Sequence, residues 1–175
     1  MKKVFLSTIL SLLCITAFAD IKITSGNSDF LKEDAVAIVV FDYSDATWEQ
    51  TATYEHWCGN DYDNRVLLGY GSFILGFNKE SSKLKIKQED SSAKYRITIK
   101  ISLLEEEHGG AIWKGGLWGR FYVQCSGTII VEEIESNKVV CTAQIEDEEG
   151  EHDLVIEDRL AKCFFALGEA TAKMD

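Results

Sequence analysis

Residues 94–104, KYRITIKISLL, show the most regular alternation of apolar and polar side chains in the chain. Every second residue is large and apolar: Tyr95, Ile97, Ile99, Ile101 and Leu103. A period of two places successive side chains on opposite faces of a strand, so this segment predicts a β-strand with one buried and one solvated face. We expect this strand to lie at the centre of a sheet.

Two further alternating segments follow it. Residues 120–134 and 139–145 predict strands joined by a hairpin loop around Asn137, and Gly127 marks a bulge within the first of them. The inward positions predicted on these strands are Phe121, Val123, Cys125, Ile129, Val131, Val139, Cys141, Ala143 and Ile145.

Two apolar segments before residue 94 also predict strands. Residues 35–41 (AVAIVVF) form a continuous apolar run, which is typical of a strand that is buried on both faces in the middle of a sheet. Residues 83–87 (KLKIK) place Leu84 and Ile86 inward and three lysines outward, as expected for an edge strand that avoids pairing with another chain.

Three helices are predicted from caps and apolar stripes. Ser44 or Asp45 is placed to cap a helix over residues 46–57, and a second helix begins near residue 61. Glycines in this second helix are expected to let it pack closely on the sheet, and the last helix covers residues 154–173. The stripes of these two helices are Val66, Tyr70, Phe73, Ile74 and Phe77, and Ile156, Leu160, Cys163, Phe164, Leu167 and Met174.

This order of elements predicts an α+β fold. Sequential strands after a helical crossover favour a mixed, largely antiparallel sheet with its central strand at about residues 94–104. We expect the helices to pack on one face of the sheet, which makes a two-layer sandwich.

The first nineteen residues have the pattern of an export signal. Two lysines precede a short apolar segment, and Ala17-Phe18-Ala19 is a small-x-small cleavage signature. The apolar segment is too short to cross a bilayer comfortably. We therefore expect cleavage before Asp20 and a single domain over residues 20–175, located in the periplasm or secreted. Lipid attachment at Cys14 is the alternative, although Leu13 stands where lipoprotein signals have a small residue.

The composition is acidic, with 29 Asp and Glu residues against 18 Lys and Arg residues. Loss of Lys2 and Lys3 with the signal leaves 16 basic residues and a net charge of −13. Such a surface repels nucleic acid and anionic lipid, so we expect no nucleic-acid partner. The acidic surface is interpreted as one that keeps an exported protein in solution.

Four cysteines remain after cleavage, and an exported chain meets conditions that permit disulfides. The pattern favours buried thiols, because Cys125, Cys141 and Cys163 lie in apolar segments inside predicted elements. One bridge among the four, which also include Cys58, stays open.

No motif for a cofactor, a metal or a catalytic residue stands out. His56 and Cys58 are ligand types for zinc but lack a second pair at ligand spacing. Arg65 stands where a calcium loop starting at Asp61 would need an oxygen ligand. The acidic residues 146–153 are typical of a solvated loop, with weak cation binding as the alternative.

The segment His108–Gly119 (HGGAIWKGGLWG) is the strongest candidate for a functional surface. It connects two neighbouring strands at greater length than most hairpin loops, and glycines surround Trp113 and Trp118. Aromatic side chains supply much of the binding energy at protein surfaces. We interpret Trp113, Trp118 and Arg120 as a binding site for an envelope protein, a glycan or a membrane surface. In the alternative, the loop folds back and caps the core.

A competing hypothesis is a hydrolase with a carboxylate-lined cleft after residues 35–41. Asp42 would act there with Asp45 or Glu49, since carboxyl groups can serve as general acid and base in hydrolysis. A converging polar pocket would favour this enzyme, whereas an exposed aromatic surface would favour the binding module.

The order of features also carries a resemblance. An export signal, an apolar strand ending in Phe41-Asp42, a helix, a lysine-rich strand, a strand with Gly-x-Ile at 127–129 and a closing amphipathic helix resemble small exported proteins of Gram-negative bacteria whose roles are uncharacterised. The element order is similar to the envelope domains of the curli-export lipoprotein and of the lipoprotein activators of penicillin-binding proteins. The resemblance implies a non-catalytic envelope module and carries no functional residue across.

Overall fold

The computed structural model describes residues 20–109 and 120–175, which form an α+β fold around one mixed, mostly antiparallel sheet of eight strands. The strands are β1 (Asp20–Gly26), β2 (Val36–Asp42), β3 (Thr47–Trp48), β4 (Ala52–Thr53), β5 (Lys85–Ile86), β6 (Tyr95–Gly109), β7 (Arg120–Glu133) and β8 (Lys138–Glu149). The α-helices are α1 (Tyr54–Cys58), α2 (Tyr62–Glu80) and α3 (Ile156–Thr171).

The strand order is β1-β8-β7-β6-β2-β5, with β3 beside β6 beyond the end of β2 and β4 paired with β3. Strands β6, β7 and β8 are antiparallel to one another, whereas β2 runs parallel to β6. The predicted central strand is therefore confirmed, since β6 lies in the interior of the sheet and has a strand on each side.

Helices α2 and α3 form the second layer, on the face of the sheet that carries the apolar side chains. Ile99, Ile129 and Leu160, from β6, β7 and α3, each have no solvent exposure. The predicted stripe of the last helix is confirmed for five members that are buried: Leu160, Cys163, Phe164, Leu167 and Met174. None of the described helices is long and apolar enough to cross a membrane.

The glycines of α2 let this helix pack closely against α3, whereas the sequence predicted close packing against the sheet. A β-carbon at Gly76 would overlap the carbonyl oxygen of Phe165, and one at Gly168 would overlap the carbonyl oxygen of Phe73. Each helix thus offers a glycine to the backbone of the other, and any larger residue there would push the two helices apart.

A bulge changes the face of β6 near its middle. The register between β6 and β7 shifts between Ile101 and Leu103, opposite the bulge that the sequence predicted at Gly127. One extra residue reverses the faces of all later side chains. The prediction that Leu103 lies inward is therefore wrong: Leu104 is fully buried and Leu103 is partly exposed.

Strand β2 is buried on one face only, which corrects the prediction for residues 35–41. Ala37 and Val39 are buried, whereas Val40 on the opposite face is 43% exposed. The described helices cover a single face of the sheet, so the continuous apolar run leaves its alternate side chains uncovered. Val139 on β8 is likewise exposed, because the register with β7 shifts between Val131 and Glu132.

The helix predicted over residues 46–57 is wrong for most of its length. Glu49 and Gln50 have φ angles of 50° and 55°, which turn the chain between β3 and β4 instead of continuing a helix. Only α1 is helical, and the side chain of Thr53 caps it by accepting a hydrogen bond from the backbone N–H of His56 at 3.2 Å.

Candidate interaction surface

The β6–β7 hairpin carries the predicted binding loop at its far end. Its two strands pair from Tyr95↔Glu133 to Gly109↔Arg120, so the two ends of the intervening segment meet across the ladder. Trp113 and Trp118 lie outside the described residues. Arg120 is the first residue of β7, and the conformation of its side chain is also outside the description.

The hairpin extends beyond its neighbours on the β2 side. The last pairing there joins Trp48 of β3 to Leu104, so the following five residues of β6 have no strand beside them within the described chain. On the other side, the carbonyls of Val123 and Phe121 accept hydrogen bonds from the backbone N–H groups of Gly150 and Asp153. Among the described residues, the end of the hairpin thus has a neighbouring segment along one edge and no strand along the other.

An ion pair fixes the start of α3 to this end of the hairpin. Arg159 donates to the carboxylate of Glu106 at 2.8 Å, and the Arg159 side chain is only 8% exposed. The same guanidinium lies 5.6 Å from the ring centroid of Phe121. In addition, the backbone N–H of Phe121 donates to Nδ1 of His152 at 2.8 Å. These contacts hold the end of the hairpin, residues 105–109 and 120–124, in a fixed position relative to the core. This part of the hairpin is called the stem of the loop below.

A buried carboxyl group, that of Glu148 on β8, lies on the inner face of the sheet beside the stem. Glu148 is 4% exposed, and its Oε2 has no hydrogen-bond partner among the described residues. Burial, helped by the negative charges of Glu149 and Glu169, raises the pKa of Glu148 to about 7. Glu148 is therefore largely protonated below neutral pH.

The opposite, outward face of the stem is acidic. Glu105 accepts a hydrogen bond from the side-chain amide of Gln124. Burial first, and then the charges of Glu107 and Asp147, raise the pKa of Glu149. A carboxylate whose pKa is raised by neighbouring carboxylates lies close to them, so this face presents concentrated negative charge beside the loop.

An aromatic cluster that the sequence did not predict lies at the base of β3. Trp48 stacks on Trp57 at 3.6 Å between ring centroids, and the Arg65 guanidinium lies 4.4 Å from the centroid of the Trp57 ring. Arg65 also pairs with Glu157 of α3 at 2.9 Å. Both faces of Trp57 are therefore covered, and the cluster joins α1 to α2 and α3. Its members are too far apart in sequence for a local pattern to reveal them.

The residues considered for metal binding have other roles. Cys58 is buried and burial raises the pKa of its thiol, while the backbone of His56 is engaged in the cap of α1. Across residues 20–109 and 120–175, no three His, Cys, Asp or Glu side chains come together in a metal-binding arrangement.

The cleft considered for a hydrolase is a small depression of about 180 Å³ at the end of β2. Asp42, Asp45 and Lys100 are among the residues that line it. Asp42 accepts hydrogen bonds from the backbone N–H and the hydroxyl of Ser44, at 3.0 and 2.7 Å, and these bonds lower its pKa. Glu49 is exposed and its backbone N–H donates to Leu104. The geometry favours a role for Asp42 in the turn.

Comparisons with known proteins reveal only distant likeness. No protein-family model matches the chain, and no curated protein sequence matches it. The structure is similar to a PelC dodecamer from Paraburkholderia phytofirmans, with 12% identity, a TM-score of 0.46, and coverage of 90% of this chain and 99% of that one. It is also similar to a Helicobacter pylori protein described as a homologue of a neuraminyllactose-binding hemagglutinin, with 8% identity, a TM-score of 0.35, and coverage of 81% and 83%. Likeness at this level assigns no function.

Proposed function

We propose that this chain is an exported envelope protein that acts as a non-catalytic binding or assembly module, and that residues 108–119 with Arg120 make the contact. The observation that carries this proposal is the β6–β7 ladder, which is paired through Gly109↔Arg120 and thereby holds both ends of a tryptophan- and glycine-rich segment.

The stem supports binding because it is already ordered. The Arg159–Glu106 pair and the hydrogen bonds from residues 150 and 153 fix the end of the hairpin before any partner arrives. Ordering a flexible segment opposes association, so a loop with fixed ends loses less freedom when it binds. Trp113 and Trp118 would supply the contact area, since indole rings bury large surfaces with few rotatable bonds.

The charge of the stem narrows the class of partner. Glu105, Glu107 and Glu149 lie on the outward face of β6 and β8 next to the loop. Carboxylates in this position repel anionic ligands. We therefore favour an envelope protein or an uncharged glycan over an anionic membrane surface.

The proposal is tested by a pull-down from envelope extract with a Trp113→Ala, Trp118→Ala double variant. We expect loss of the captured partner, with a free energy of unfolding within about 0.5 kcal/mol of the parent, as is usual for surface changes. Leu67→Ala with Leu75→Ala is the matched control, because these two apolar side chains on α2 are 63% and 66% exposed. The control should retain capture.

Two results would contradict this function. Unchanged capture by the tryptophan variant would place the contact elsewhere. A loss of several kcal/mol of stability, in the range for buried tryptophan, would mean that the loop caps the core.

Export is tested separately by the intact mass of the protein recovered from the periplasm. We expect the mature chain to begin at Asp20, which is also the first residue of β1 and pairs with Glu146. A lipid-modified Cys14 would contradict this site of cleavage.

A further inference from the structure

Two fully buried cysteines from distant parts of the sequence meet below the stem of the hairpin. Cys125 on β7 and Cys163 on α3 each have no solvent exposure. The Cys163 Sγ lies 3.6 Å from the carbonyl oxygen of Glu148, and Glu148 is the cross-strand partner of Cys125. Both thiols are therefore placed around the same residue of β8.

The backbone of α3 comes unusually close to the sheet at this position. A β-carbon at Gly150 would overlap the backbone nitrogen of Cys163 and would lie 2.8 Å from its Cα. Gly150 itself donates a hydrogen bond to the carbonyl of Val123 at 3.0 Å, two residues before Cys125. A disulfide needs Cα atoms about 4.4–6.8 Å apart. The contact between the backbones of Gly150 and Cys163 brings α3 closer to this part of the sheet than packing through side chains would.

The other two cysteines of the described chain have different surroundings. Burial raises the pKa of Cys58, and its thiol interacts with Tyr54 and Arg65. Burial alone raises the pKa of Cys141. For Cys163, by contrast, the hydrogen bond with the Cys125 thiol comes first among the causes that hold its pKa well above the ordinary value, and burial comes second. This difference agrees with the geometry, in which Cys125 and Cys163 both lie beside Glu148 and the backbone of α3 touches Gly150.

Cys125 and Cys163 are free thiols in this structure. We propose that they are joined by a disulfide in the mature protein, made by exchange with a disulfide-containing oxidant before α3 docks. One thiolate attacks a sulfur of the oxidant, which gives a mixed disulfide and releases the first oxidant thiolate. The second cysteine displaces the other half. The protein dithiol loses two electrons and two protons, and the oxidant leaves as two thiols.

The burial of both sulfurs explains why the reaction belongs to folding. An external disulfide cannot reach a thiol without exposure, and the raised pKa leaves little Cys163 thiolate in the folded state. The bridge would tie α3 to β7 across 38 residues of chain and would anchor the stem of the proposed binding loop. The export proposed above bears on this step only because it decides in which compartment the chain meets an oxidant.

The test refolds the reduced chain of residues 20–175 in a glutathione redox buffer, blocks free thiols in denaturant, and counts them by mass. We expect two blocked thiols and one disulfide-linked peptide pair containing residues 125 and 163. A Cys58→Ser, Cys141→Ser variant is the matched control and should retain the linked pair with no blocked thiol. Cys125→Ser and Cys163→Ser should each leave three blocked thiols.

Four blocked thiols in the refolded parent, or a linked pair that joins other cysteines, would overturn the inference. The peptide map uses the parent protein, so it decides the question even if a serine variant does not fold. Because this experiment takes place in vitro, failure of the proposed export or of partner capture leaves its outcome unaffected. The same map on protein recovered from the periplasm should show the same linked pair.

Discussion

Strand β7 is connected in two very different ways at its two ends. At one end, residues 134–137 turn the chain into β8, with Asn137 at a φ of 51° and the backbone N–H of Ile134 bonded to the carbonyl of Lys94. At the other end, residues 110–119 separate the paired Gly109 and Arg120. Two to five residues suffice to join antiparallel neighbours. The contrast teaches that closure of the chain alone does not account for the length of the second connection, which is why a binding role is proposed for it.

The two ends also differ in what lies between the layers. Near the short turn the inner face of β7 is apolar, with Ile129 and Val131 fully buried. Near the long connection the inner face meets ionisable groups: the ion pair of Glu106 with Arg159, and Glu148, whose Oε2 has no hydrogen-bond partner among the described residues. The stability of the loop end should therefore depend on charge and pH, and that of the turn end on packing and backbone conformation.

The largest expected effect is in the apolar part of the core. Ile99→Ala, Ile129→Ala and Leu160→Ala should each lower the free energy of unfolding by about 2–5 kcal/mol, because each leaves a cavity in a fully buried site. Denaturant titration measures this. Val40→Ala, on the exposed face of β2, is the control and should change little. Equal effects at Val40 would show that the open face of the sheet is covered.

The next effect concerns pH and Glu148. Its folded pKa of about 7 lies above the ordinary 4.5, so its stabilising contribution is full below 4.5 and is lost as the pH rises through 7. This loss amounts to about 3 kcal/mol. Glu148→Gln should therefore be more stable than the parent at pH 8 and similar to it at pH 4.5. Melting curves at both pH values test this.

Glu151→Gln is the control for that experiment, because Glu151 is exposed. Equal gains in the two variants would point to relief of overall negative charge and would contradict the special position of Glu148.

The Arg159–Glu106 pair should have a somewhat smaller effect. Glu106→Gln removes the charge that Arg159 binds and should cost about 1.5–3 kcal/mol, the usual worth of a hydrogen bond to a charged group. Hydrogen exchange should increase at the end of the hairpin more than in the rest of β6. Glu107→Gln changes the next residue, on the outward face, and should leave exchange unchanged; faster exchange there would contradict the assigned facing.

The smallest effect is expected at the short turn. Asn137→Ala should cost about 1 kcal/mol of unfolding free energy. The left-handed conformation is unfavourable for residues with a β-carbon, and asparagine tolerates it better than alanine because its short polar side chain can hydrogen-bond locally. Asn137→Gly should be near neutral, since glycine adopts this conformation freely. If both variants melt like the parent, the left-handed backbone conformation of residue 137 does not affect the stability of this end of β7.

Much of the fold followed from local pattern. The alternation of residues 94–101 and the stripe around Leu160 predicted faces that the structure confirms, and Gly127 and Asn137 predicted the bulge and the turn. The loop with Trp113 and Trp118 was also proposed from sequence. The ion pair of Arg159 with Glu106 was not, because its partners are 53 residues apart and each alone looks like an ordinary surface charge.

The sequence by itself determined the long strands β6, β7 and β8, the position of the connection between β6 and β7, and core side chains such as Ile99, Ile129 and Leu160, because these depend on spacing along the chain. It did not predict β3 and β4, which lie where a helix was expected. Tertiary structure decided that Leu104 and not Leu103 is buried, that β2 has only one covered face, and that glycines of α2 and α3 touch the opposing helix. It also brought Cys125 to Cys163. Each of these depends on a strand or helix far away in sequence, whose approach no local period records.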